Sequence, residues 1–208
     1  MSIYKEKKVL ITGASAGIGY ALSEELAKRG AEVIITARRK NRLEELAKKI
    51  KSAGGKAHIF TEDLSLPESG MKLYDQIKSA GLKVDILINN AGYGRWGELT
   101  SHERDDYSKM LQLNVTTLTD LCHLYIPDMV TNGGGGIINV GSMASLSPIP
   151  YASVYSSSKA YVLMFSEAIR FEYQDKGINV MALLPGGTES EFASVATEKS
   201  EKLTKRYQ

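Results

Sequence analysis

Short, continuous apolar runs occur at residues 9–12, 33–36, 58–60, 86–89, 137–140 and 180–184. Runs that do not alternate with polar residues predict strands buried on both faces. Between them, segments 18–29, 42–53, 71–80, a broad stretch over 103–130, and 154–176 repeat their apolar positions at helical spacing. Strand and helix in alternation predict an α/β fold, a doubly wound parallel sheet with helices on both faces in three α/β/α layers. Gly30, Gly54-Gly55, Gly81 and Gly177 fall where helical patterns stop. The run Gly133 to Gly136 precedes a strand instead of opening a helix, so it predicts a flexible turn and not a phosphate cradle. With no repeat or linker, the 208 residues read as a single domain.

Composition narrows the class. The chain is 43% apolar and 24% charged, as soluble globular proteins are, and its 26 basic against 24 acidic residues leave a net charge of only +2 with no basic tract. Nucleic acid is therefore not an expected partner. The single cysteine, Cys122, has no intrachain partner and reads as a small buried hydrophobe. His58, His102 and His123 lie far apart, with no CxxC or HExxH, so no metal site is predicted. The N-terminal stretch reaches a strand by Val9 with no signal-like or membrane-spanning segment, and the expectation is a soluble, cytoplasmic protein. Asn114-Val115-Thr116 matches a glycosylation sequon, without consequence in that setting.

The first candidate chemistry lies in Gly13-Ala14-Ser15-Ala16-Gly17-Ile18-Gly19, which follows the first strand and opens the first helix. A helix N-terminus there can present backbone N–H groups to a pyrophosphate, the Rossmann-like reading. The spacing is Gly-x-x-x-Gly-x-Gly, not the strict dinucleotide fingerprint. The same residues spell GxSxG, the pattern of a hydrolase nucleophile elbow at Ser15, although no histidine follows His123. A third reading makes the glycines mere packing of helix on strand.

Tyr155 and Lys159 are four apart and so share a helix face, but Tyr4 with Lys8 and Tyr74 with Lys78 have the same spacing. Position discriminates: Tyr155 follows the fifth strand, and Ser142 sits just past that strand's carboxyl end, where ligands bind in open α/β sheets. Hydride transfer at a carbonyl needs a proton donor and a polarising hydroxyl, roles for Tyr155 and Ser142. Bringing a phenol from about 10 to about 7 takes roughly 4 kcal/mol, which an ammonium about 4 Å away supplies at an effective dielectric near 20. Lys159 is expected to do this. A surface Tyr–Lys pair on an amphipathic helix is the plainer alternative.

Taken together, Thr12-Gly13-x-x-x-Gly17-x-Gly19, Asn89-Asn90-Ala91-Gly92, Asn114, Ser142, Tyr155-x-x-x-Lys159 and Pro185-Gly186 resemble the short-chain dehydrogenase/reductase family, in its shorter single-domain branch. Pro150-Tyr151 and the Asn114 helix give it the look of 3-oxoacyl reductase-like members. The resemblance implies that Tyr155 is the acid/base, that Lys159 also holds the nicotinamide ribose, that Ser142 orients the carbonyl and that Asn114 maintains a water-linked proton relay. It implies that Asn90, Ala91 and Gly92 border the adenosine, that Asp63 and Leu64 touch the adenine, and that Pro185 and Gly186 onward touch the nicotinamide, with Thr188 or Ser190 at its carboxamide. It also implies a homo-oligomer, a dimer or tetramer, to which apolar positions such as Leu118, Leu121, Leu124, Val162, Phe165 and Ile169 could contribute, though core packing accounts for most of them.

Independently of the family, the acidic residue that binds an NAD ribose is missing after the second strand, where Arg38 and Arg39 stand. Guanidinium groups suit a 2′-phosphate, which favours NADP; a solvated turn is the alternative. The seventh strand common in the family has no counterpart, since residues 187–208 are polar and charged, an incomplete substrate-lid region. The expected function is NADP(H)-dependent hydride transfer between nicotinamide and a small-molecule ketone or secondary alcohol. An NADP-binding module without turnover and a Ser15 hydrolase are the other readings. Met143, Leu146 and Ile149 suggest a partly apolar site or simply core.

Overall fold

The computed structural model describes residues 2–187 and Ala196. Six strands, β1 Lys8–Thr12, β2 Glu32–Ala37, β3 Lys56–Thr61, β4 Ile86–Asn89, β5 Gly135–Val140 and β6 Ile178–Leu183, form one sheet in the order β3-β2-β1-β4-β5-β6. Every pairing is parallel, in register from Val9 opposite Val33 and Ile86 to Val140 opposite Leu183. The doubly wound α/β expectation is met, and the order reverses between β1 and β4, where such sheets open a crevice at their carboxyl ends.

Helices cover both faces. Leu10, Ile34, Leu87, Ile137 and Val180 point to a core shared with α3 (Ser69–Ser79), α5 (Thr117–Thr131) and α6 (Ser153–Tyr173), while Val9, Ile11, Val33, Ile35 and Ile88 point to the opposite core with α1 (Gly17–Lys28) and α2 (Lys40–Ser52). Successive strand residues thus enter different cores, which is why the runs read as continuous. The edge strand β6 departs from that expectation: Asn179 and Met181 are exposed, because α1 and α2 pack on the β1–β2 side of that face.

Two finer expectations change. The broad stretch over 103–130 is α4 (Arg104–Leu111), a π-helical turn Gln112–Thr116 and α5, so the helix widens at the very turn that carries Asn114. Of the four glycines, only Gly133 and Gly134 turn; Gly135 and Gly136 begin β5, where a Cβ on Gly135 would sit 2.6 Å from Met129.

Candidate active site

The turn after β1 is held by its neighbour strand. Thr12 Oγ1 accepts from the N–H groups of both Asn90 and Ala91 at 2.9 Å, and Asn90 Nδ2 donates to the Thr12 carbonyl at 2.9 Å. Gly13 has φ +68°, and a Cβ there would lie 2.8 Å from Ala91 Cα. One on Gly19 would run into the Asn90 side chain and lie 2.6 Å from the Gly13 carbonyl oxygen. These two glycines therefore serve close packing of α1 on the sheet. The start of α1 leaves its first N–H groups open, since Ala16 supplies no capping side chain and the first turn carries no acidic residue, and such an end suits an anion.

Beside that helix end, Arg39 donates through Nε and Nη2 to Ser15 Oγ at 3.3 and 3.1 Å. Arg38 Nη1 lies 4.0 Å from Asp63 Oδ2, and Asp63 Oδ1 accepts from the Ser65 N–H and hydroxyl. Ser15 thus faces a guanidinium, which cannot act as a base, while His58 pairs with Glu32 and His102 faces the Trp96 carbonyl. That arrangement gives Ser15 no hydrolase machinery. Leu64 is 4% exposed, with its side chain in the core and its carbonyl accepting from Thr117, so it offers no side chain to an adenine.

At the carboxyl end of β5, Ser142 caps a short 3-10 turn, Met143–Ser145, and its hydroxyl is hydrogen-bonded to Tyr155. Ser142 Oγ also accepts from the Ala144 N–H at 3.1 Å, and Ser145 Oγ donates to the Lys159 carbonyl at 2.8 Å, fixing the turn against α6. Lys159, 4% exposed, donates from Nζ to the Val140 carbonyl at 2.8 Å. Burial pushes its amine down to about 8. Burial also holds the Tyr155 phenol above its ordinary value, with the Ser142 hydrogen bond opposing. The expected acidification of Tyr155 by Lys159 is thus not found: burial raises the phenol, Ser142 is what opposes it, and the amine is directed at a main-chain carbonyl.

Asn114 reaches the same place from the π-helical turn. Its Nδ2 donates to the Tyr93 carbonyl at 3.0 Å and to Ser158 Oγ at 3.1 Å, and its Oδ1 accepts from the Tyr93 N–H at 3.2 Å. Gly92 lies between Asn114 and Lys159, where a Cβ would be 3.0 Å from Asn114 Oδ1 and 3.3 Å from Lys159 Nζ. Pro185 is joined to the Ser142 turn, its carbonyl accepting from the Met143 N–H at 3.0 Å, with Gly186 following; Thr188 and Ser190 lie outside the described residues.

The rival pair Tyr74 and Lys78 forms a surface cluster instead, with Tyr74 donating to Asp128 at 2.8 Å and Lys78 donating to both. Sequence reasoning missed Ser145, Ser158 and Trp96. Ser158 had a usable signal, one residue before Lys159 on the helix; Trp96 had none beyond being the chain's one tryptophan. Among the described residues no group of three or more His, Cys, Asp or Glu could hold a metal ion, and no helix is long and apolar enough to cross a membrane.

Comparison with known proteins identifies the family of this fold. A family model for short chain dehydrogenases matches residues 7–201. The human (Homo sapiens) very-long-chain 3-oxoacyl-CoA reductase is 31% identical over 199 residues, covering 89% of this chain and 61% of that protein. The chain spans about three fifths of the length of the first curated relatives it matches, 62% and 61%. A short-chain dehydrogenase from Sphingobium yanoikuyae in complex with NADPH superposes with a TM-score of 0.87 at 34% identity, covering 91% of this chain and 75% of that one. A short chain dehydrogenase/reductase from Burkholderia phymatum in complex with NAD gives 0.86 at 25% identity, covering 97% and 73%.

Proposed function

The chain belongs to the short-chain dehydrogenase/reductase family of oxidoreductases, and from that premise we propose that it is an NADP(H)-dependent reductase of ketones, with Tyr155 as the acid and base. The observation that carries the reading is the Ser142–Tyr155 hydrogen bond at the carboxyl end of the sheet, with the buried Lys159 one helical turn after Tyr155 on α6. A bound NADP(H) supplies or accepts the hydride. The N-terminus of α1 is assigned to its pyrophosphate, Lys159 to the nicotinamide ribose, and Ser15, Arg39 and Arg38 to its 2′-phosphate.

Tyr155 carries the proton of the reduction. A phenol held above its ordinary value is protonated at neutral pH, the form that must donate to the developing alkoxide. Ser142 donates to the same oxygen and polarises the carbonyl. Lys159, four residues on from Tyr155, brings positive charge to the same face of α6, and Asn114, anchored to Tyr93 and Ser158, keeps the polar path toward Lys159 open. Absence of a carboxylate at the end of β2 and the Arg39–Ser15 contact support NADP over NAD.

Oxidation of NADPH across a panel of ketones tests the reading. Turnover lost in Tyr155→Phe and retained at least in part in Ser15→Ala is the expected result. Tight NADPH binding with no turnover of any carbonyl overturns the reductase assignment, and equal or stronger affinity for NADH overturns the cofactor preference. We also propose a homo-oligomer, supported by Met164 and Phe171, 70% and 64% exposed on α6, and a monomer in sedimentation would overturn it.

A further inference from the structure

Tyr155 is 6% exposed, and a ring packed against it belongs to Trp96, with centroids 5.4 Å apart and planes tilted by 35°. Trp96 lies in the irregular segment between β4 and α4, yet that segment is firmly tied. The Trp96 N–H donates to the Ala196 carbonyl at 2.9 Å, the Gly97 N–H to the Tyr151 carbonyl at 2.7 Å, and His102 Nε2 is 2.9 Å from the Trp96 carbonyl. Tyr151 makes its bond from the left-handed region, φ +64°, a costly conformation for a residue with a Cβ.

These rings do not belong to either face of the sheet's core. Trp96, Tyr93, Tyr107, Ile149 and Val154 gather with Tyr155 and Met110 in a separate apolar cluster around the phenol. Its nearby cation is engaged: the Arg95 guanidinium lies 5.3 Å from the Tyr93 ring centre and 3.8 Å from Asp106. On the adjoining turn Met143 and Leu146 are 54% and 58% exposed, apolar groups facing outward beside Ser142. A carbonyl reaching the Ser142 and Tyr155 hydroxyls therefore arrives among flat and aliphatic surfaces, with no uncommitted charge among these residues to receive a carboxylate or phosphate next to it.

We infer that Trp96 is a specificity-determining residue, its indole an apolar wall packed on the Tyr155 ring that selects ketones bearing an aromatic group next to the carbonyl. The inference rests on the reductase reading, whose substrate class it narrows. An aryl ring stacks on an indole in offset or tilted geometry, whereas a short alkyl group leaves that surface wet. Discrimination then lies in the rate of the bound ketone relative to a small one, not in cofactor affinity.

Trp96 also provides its own probe, because it is the one tryptophan of the chain. With NADP⁺ bound, acetophenone titrated into the parent protein is expected to change the indole emission saturably, and butanone at equal concentration is not. With NADPH, the ratio of kcat/KM for acetophenone over butanone is expected to fall at least about tenfold in Trp96→Ala, roughly 1.4 kcal/mol, and to survive largely in Trp96→Phe. NADPH affinity is expected to be unchanged in both. Turnover of both ketones with an unchanged ratio, or an emission indifferent to acetophenone, overturns the role of Trp96 and leaves the reductase reading intact. If Trp96→Ala fails to fold, the parent titration and Trp96→Phe decide. No turnover of any ketone by a parent that binds NADPH overturns both.

Discussion

The Lys159 amine donates to the carbonyl oxygen of Val140 at 2.8 Å, tying the second turn of α6 to the last residue of β5 and holding a buried amine there. The charge costs stability. Its amine falls from 10.5 to about 8 on folding, so below pH 8 both states are protonated and the folded state bears the whole penalty. Between pH 8 and 10.5 only the unfolded chain keeps the proton, and the penalty fades as pH rises.

Urea unfolding of the parent and Lys159→Met as a function of pH is therefore expected to show curves that converge. The variant gains up to roughly 3 kcal/mol at neutral pH, less what the lost hydrogen bond contributes, at about 1.4 kcal/mol per pH unit across that window. Curves that stay parallel between pH 8 and 10.5 contradict the burial argument.

Gly92 separates Asn114 from Lys159, and Gly92→Ala is expected to push one of them aside. Overpacking of this kind costs about 1–3 kcal/mol, read by urea unfolding. Because the roles proposed for both groups serve the proton transfer at Tyr155 and not substrate binding, kcat is expected to fall more than KM changes. An alanine variant with parental kcat would show that the Asn114–Lys159 spacing is irrelevant to turnover.

Arg39→Ala removes the guanidinium held at Ser15. A charge-assisted contact to a phosphate is worth about 1.5–3 kcal/mol, so NADPH affinity is expected to weaken about 10- to 100-fold while NADH affinity hardly moves. Calorimetric titration with both cofactors checks this, and equal losses for the two would reassign Arg39 to the solvated turn.

Much of this was legible in the sequence, for identifiable reasons. The apolar runs gave strands because the central strands are sandwiched between two helix layers, whereas β6 has one face open beside Met181. The Tyr155–Lys159 spacing could not by itself be told from Tyr74–Lys78, since both pairs share a helix face. Position after the fifth strand separated them, and the fold adds that Tyr74 and Lys78 lie in a cluster with Asp128. Tyr74→Phe is accordingly expected to leave turnover unchanged, and a fall in activity measured with NADPH would undo that distinction.

What stayed hidden depends on long-range contacts and desolvation. No local pattern marks the π-helical turn that aims Asn114, nor the loop that lays Trp96 on Tyr155. The sequence-based expectation for the Tyr155 phenol had the wrong sign because a Coulomb estimate counts the neighbouring ammonium and omits the burial that raises the phenol and lowers the amine together.

The most direct measurement follows a deuterium. With NADPH deuterated at the transferable position of the nicotinamide and a ketone as acceptor, the account predicts one deuterium at the carbinol carbon of the alcohol formed by the parent. Tyr155→Phe is predicted to bind the cofactor as tightly while its rate of label transfer falls by about 10²–10⁴-fold. Label transfer by Tyr155→Phe at the parental rate, or an alcohol without deuterium, would contradict the central claim.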